Sequence, residues 1–288
     1  AGAWHKPAED ATAEQYIDIL DAHGITFGML AAASISGTNN DFTLAACQRQ
    51  RRLRTTVILS PDCPLQQMKE MAAQGVVGVR FQWLNVPVAP DLASPDYQGL
   101  LSHIADLGWH VQLHDAGSRL PAYLPALEAA GVKVVVDHFG RPDVEHGISG
   151  AGFQRLLRSI EGGRTWVKLS APFRLGSETL VQQAAQTLLE NAGPERLMWG
   201  SDWPFAAFET RFSYAQALAS LDALVPDAAT RHRISCDTPL KFYFAGDDQV
   251  SPARPALRTR VPLRRLLVRG GHQRGGRCPR LLRRRRRV

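Results

Sequence analysis

No stretch of the 288-residue chain approaches the ~20 consecutive apolar residues of a membrane-spanning helix. The N-terminal AGAWHKPAED also lacks the apolar core of a secretory signal, so no membrane partner is expected. Cysteine is scarce: Cys47, Cys63, Cys236 and Cys278 are spaced neither as a metal site nor as a disulfide framework. That usage points to a reduced, cytoplasmic setting. The Gly-rich phosphate fingerprint of dinucleotide-binding sheets is absent too, which leaves a doubly wound open sheet as the weaker of two architectures. Acidic residues and lysine are missing from residues 251–288, which carry 14 Arg; a net charge of +7 therefore leaves 7 − 14 = −7 on residues 1–250. A tail of like charges without an apolar period is expected to be disordered. The expected division is a body, residues 1–247, and an arginine-rich tail, residues 248–288. The tail has no interleaved aromatics and no binding fold, so nucleic acid is not the expected partner.

What remains is ordinary for a globular chain, with 44% hydrophobic and 21% charged residues. Residues 12–245 alternate between two patterns. Helical stretches include TAEQYIDILDAHG, PLQQMKEMAAQG, SPDYQGLLSHIADLG, LPAYLPALEAAG and SETLVQQAAQTLLENAG, each ending in glycine. In the first, Thr12 and Gln15 have the spacing of a capping box. Between helices lie short apolar strands: FGMLAAA, TTVILS, VVGVRFQW, HVQLHD, VKVVVDHFG, TWVKLSA and LMWGSDWP. Buried strands alternating with helices predict a parallel sheet with helical crossovers. Seven such units fit a (β/α)8 TIM barrel that lacks one strand.

Polar residues fall at the C-terminal ends of these strands: Ser34, Arg80, His114 with Asp115, His138, Ser170 and Asp202. In a β/α barrel those ends converge on one mouth, where active sites are built. A lone histidine there is more often structural. Polar residues at six strand ends in one register point to a site.

VVVDHFGRPD and LMWGSDWP, in that order, resemble the amidohydrolase superfamily, most closely the branch that contains the pyrone-dicarboxylate lactonases and sugar-lactone hydrolases. The resemblance runs from about Trp4 to Phe244 and includes GVRF, WVKLSAPFRL and CDTPLKFY. It implies a distorted (β/α)8 barrel hydrolysing a small carboxylated lactone or related cyclic ester or amide. Asp202 then matches the family's general base for the attacking water, and His138 the histidine that polarises the substrate carbonyl. Arg80 and Arg174 match the arginines that hold substrate acid groups, and Ser34 and His114 complete the implied substrate-binding set. Val86 stands where the pyrone-dicarboxylate lactonases carry a second arginine, and His114 where they carry tyrosine. The histidine points to metal-dependent relatives, hydrolases or decarboxylases, with His114 and Asp202 as ligands. The cofactor expectation is accordingly either none or a divalent metal, zinc or manganese. No His-x-His pair ends a first strand, and His5 and His23 are read as non-ligands. A barrel lacking its first strand has unpaired edges, which predisposes it to pair with another copy. A catalytically silent barrel with a basic, nucleic-acid-binding tail is the rival outside the enzyme class.

Overall fold

Thr12 caps the first helix as its spacing predicts. Its hydroxyl accepts from Gln15 N at 3.2 Å, and its own N–H donates to Gln15 Oε1 at 2.8 Å. The computed structural model describes residues 10–245. The chain divides into two units, Ala1–Asp247 and Asp248–Val288; the arginine-rich tail and His5 lie outside the described residues.

From that cap the elements follow in strict alternation: α1 (Ala13–Ala22), β1 (Gly28–Leu30), α2 (Asp41–Arg49), β2 (Leu53–Val57), α3 (Leu65–Ala72), β3 (Val76–Gln82) and α4 (Pro95–Asp106). Next come β4 (His110–His114), α5 (Leu120–Ala129), β5 (Lys133–Val136), α6 (Ala151–Glu161), β6 (Thr165–Ser170), α7 (Glu178–Ala192) and β7 (Leu197–Gly200). Then α8 (Tyr214–Leu224), α9 (Ala228–His232) and α10 (Thr238–Tyr243) complete the described chain. Gly108 and Gly131, at φ +64° and +69°, let the chain turn in the left-handed region between helix and strand, where a side chain would be strained.

All seven strands are parallel and lie in sequence order, β1 to β7. They curl into a half-barrel. Among the described residues, no strand pairs with the outer edge of β1 or of β7. Instead, an apolar cluster joins the two edges: Ala13 and Leu20 of α1 and Tyr214 and Ala217 of α8 form it, with Leu30 of β1 and Trp199 of β7 against them.

The pleat sorts side chains into two layers. Val111 and Leu113 of β4 and Val167 and Leu169 of β6 belong to the main core, with Leu124, Leu156 and Leu188 of the flanking helices. The alternate positions face the half-barrel interior and are polar: His110, Gln112 and His114 on β4, Lys168 and Ser170 on β6, Arg80 on β3. One end of this interior is plugged by α10. Phe242 packs on Trp166 at 4.6 Å between ring centroids and on His110 at 5.2 Å. Burial pushes the His110 imidazole down to about 3, so it stays neutral. The other end carries the polar cluster described next.

The strands are shorter than their sequence runs, and the first two show why. The first is Gly28–Leu30 rather than the whole FGMLAAA run, and the second is Leu53–Val57 rather than TTVILS. In both, side chains from elsewhere take over the backbone. Thr56 Oγ1 accepts from Ala32 N at 3.1 Å, and Asn40 bonds both the N–H and the carbonyl of Ile58.

Candidate active site

Asp137 follows β5 and is 2% exposed. A carboxylate so deep must be paired, and it is paired three times. Arg80 Nη2 donates to Oδ2 at 3.0 Å, Gln112 Nε2 lies 3.0 and 2.9 Å from the two oxygens, and Lys168 Nζ is 3.3 Å from Oδ1. Burial alone would raise this carboxyl, but Lys168 and Arg80 outweigh it and hold it well below the usual range. Arg80 is fixed from a second side, since its Nη1 donates to the Ala32 carbonyl at 2.7 Å. Ser34 begins the turn two residues beyond Ala32.

His114 ends β4 beside this pair. Its Nδ1 is 3.2 Å from Arg80 Nη2 and also contacts Gln82 Oε1. Its Nε2 is buried with no partner among the described residues. The ring stands edge-on to His138, centroids 4.8 Å apart. Burial pushes both imidazoles below their ordinary value, His138 and Arg80 adding to the effect at His114. Both rings are therefore neutral near pH 7.

Asp137, His138, Ser170, Arg174 and Asp202 meet at the C-terminal ends of three neighbouring strands. His138 Nδ1 lies 2.8 Å from Ser170 Oγ, and its Nε2 faces Asp202 Oδ1 at 3.7 Å. Arg174 Nε donates to Asp202 Oδ2 at 2.7 Å, and its Nη2 to the Ala206 carbonyl at 3.0 Å. The backbone that presents them is strained. His138, Phe139, Arg141, Ala171 and Asp202 all sit at positive φ, between 45° and 65°, a conformation that costs non-glycine residues of order 1–3 kcal/mol each. Gly140, at φ +75°, favours glycine, and a Cβ there would meet Leu156 Cδ2 at 2.3 Å, so the buried leucine would have to shift.

Arg141, Gln112 and Lys168 are site residues that the sequence pattern does not single out. Arg141 is half-buried, in the fields of Arg174, Asp202, Asp115 and Asp137, and burial followed by Arg174 lowers its guanidinium. The available signal for Lys168 is a charge at an inward position of a strand that is otherwise buried. Asp115, next to His114, turns away to Tyr123 and Arg119, at 2.8 and 3.1 Å. His23 caps α1 and its Nδ1 contacts the Ile19 carbonyl.

The donors that converge on a possible metal position include His114 of the expected pair, joined by Asp137 and His138. His114, Asp137 and His138 bring one ligand atom each within 4.8 Å of one another, whereas Asp202 is engaged by Arg174 and faces His138. Two neutral imidazoles and a carboxylate suit a divalent ion in donor type and spacing, and the unpartnered His114 Nε2 is the donor most open to one.

The model of a family described as amidohydrolase matches residues 2–245. The chain is 29% identical over 242 residues to 4-sulfomuconolactone hydrolase of Hydrogenophaga intermedia, covering 81% of this chain and 80% of that protein. It is 29% identical over 254 residues to 2-pyrone-4,6-dicarboxylate hydrolase of Comamonas testosteroni, covering 82% and 81%. A solved structure from Pseudomonas putida, put forward as a 2-pyrone-4,6-dicarboxylic acid hydrolase, superposes with a TM-score of 0.78 at 36% identity, covering 84% of this chain and 91% of that one. Among the described residues no helix is long and apolar enough to cross a membrane.

Proposed function

Because the chain belongs to the amidohydrolase family, we propose that it is a hydrolase of a small carboxylated lactone and that Asp202 activates the attacking water. The observation that carries this reading is the facing of Asp202 Oδ1 and His138 Nε2 across 3.7 Å. The gap is too long for a direct hydrogen bond, yet an oxygen about 2.8 Å from each atom would sit between them. Relatives that act on sulfomuconolactone and pyrone dicarboxylate support the substrate class.

In this mechanism water adds to the lactone carbonyl while Asp202 takes its proton. His138 donates from Nε2 to the oxygen on which negative charge develops. That role needs the proton on Nε2, with the Ser170 hydroxyl donating to Nδ1. Collapse of the adduct breaks the ring C–O bond. The proton held by Asp202 passes to the leaving ring oxygen, and the product is the ring-opened hydroxy acid. Arg141 and the free edge of Arg174 bind the substrate's acid groups. Arg80 stays committed to Asp137 and lends its charge, with Ser34 and His114 lining the same mouth.

The test is Asp202→Asn, which keeps shape and hydrogen bonding but cannot accept a proton. Lactone hydrolysis should fall by ~10² to 10⁴ with unfolding unchanged. Undiminished turnover would remove Asp202 from the mechanism.

A second reading rests on the buried His114–Asp137–His138 group: a metal-dependent hydrolase or decarboxylase of the same family. Those three residues would hold the ion, which when bound acidifies a water and polarises a carbonyl. The seven strands are read as the family's eight-stranded barrel short of its first strand, a reading supported by the outer edges of β1 and β7, with which no strand pairs among the described residues.

A further inference from the structure

The loop between β7 and α8 carries Asp202, and three of its residues converge on one guanidinium outside the loop. Asp202 Oδ2 takes Arg174 Nε at 2.7 Å, the Ala206 carbonyl takes Nη2 at 3.0 Å, and the Phe208 ring centroid lies 5.3 Å from Cζ. Phe173, next to Arg174 in the chain, is 5.1 Å from the same Cζ and 4.8 Å from Phe208. The guanidinium and the two rings form a nearly equilateral triangle, with the rings inclined at 50°. Arg174 therefore rests in a notch of two aromatic rings. Its Nη1 end is left without a partner among the described residues.

We propose that Phe208 is a positioning residue for the reaction: its ring holds the Arg174 guanidinium so that Nε stays on Asp202 and Nη1 points at the substrate's acid group. The contact is a cation–π attraction, strengthened by exclusion of water on the ring side. Arg174 is 14% exposed in its side chain. An unbacked arginine would swing among rotamers, and with it would go both the alignment of the Asp202 carboxylate and the grip on the acid group. Phe173 and Phe208 both pack against the apolar cluster between α1 and α8, and Phe173 packs also on Phe205 and Phe212. Phe208, half-buried on the loop itself, faces Arg174 and the exposed Arg211, whose Cζ is 4.5 Å from its ring.

This inference rests on the proposed role of Asp202, and its experiment separates the two. Phe208→Leu, which keeps an apolar side chain but removes the π face, is compared with Phe208→Tyr in the full chain. Three quantities are read: thermal unfolding, kcat and KM on a carboxylated lactone, and the Nε–H resonance of Arg174 in the ligand-free protein. In Phe208→Leu the Arg174 signal should broaden or exchange faster. Its kcat should fall and its KM rise, lowering kcat/KM on the order of tenfold while unfolding stays cooperative. Phe208→Tyr should restore all three readings. An unchanged Arg174 resonance in Phe208→Leu would overturn the proposal, as would equal impairment of the tyrosine variant. If the wild type turns over no lactone, the proposed activity fails, and the resonance still decides whether the ring holds the arginine.

Discussion

Asp137 sits where a wrong neighbour would be most damaging. Its side chain is 2% exposed, and Arg80 and Lys168, at 11% and 12%, have little solvent to fall back on. Removing the anion should leave two buried cations facing one another, so Asp137→Asn is expected to cost about 3–5 kcal/mol, measured by chemical denaturation. A loss under about 1 kcal/mol would mean that water screens the group as at a surface. At this scale the sequence is legible in part. Asp137 and His138 are conspicuous as a titratable pair ending an all-valine strand, and Asp202 by its Trp-Pro frame. Gln112 and Lys168 are not, because only strand pairing shows that they face the same interior as Asp137. Arg141 looks like an ordinary turn residue until its left-handed backbone aims it at the mouth.

Strands and helices are more legible than single residues, and their ends less so. The alternation of patterns predicts every strand, and the predicted helix starts fall within one or two residues of those seen. The ends of β1 and β2 are hidden because side chains distant in sequence terminate them. Asn40 is the clearest agent. It is 6% exposed, and its amide donates to the Thr38 and Ile58 carbonyls, at 3.0 and 2.9 Å, and accepts from Ile58 N at 3.1 Å. Truncation to alanine would leave three backbone groups without their partner, two of them on the half-buried Ile58. Asn40→Ala should therefore destabilise the protein by about 2–4 kcal/mol, read from the denaturation midpoint. Asn40→Asp keeps only the acceptor and should recover part of that loss; full stability of the alanine variant would refute this account of where β2 ends.

At the scale of the molecule, a parallel sheet of seven strands has a centre and two margins. A central strand is released only when ladders on both sides break, but a marginal one needs a single ladder to part. Solvent deuterium should thus enter the sheet as a gradient. Amides of Gly28 and Leu30 in β1 and Met198 in β7 should exchange through partial openings well below the free energy of global unfolding. Those of Val111, Gln112 and Leu113 in β4 should exchange only through it. The apolar cluster bridging the margins bears directly on this expectation, since Leu20, Tyr214 and Ala217 bury side chains without offering a single strand hydrogen bond. If the amides of β1 prove as slow as those of β4, that cluster clamps the wall as firmly as a strand would, and the half-barrel behaves toward solvent as a closed one.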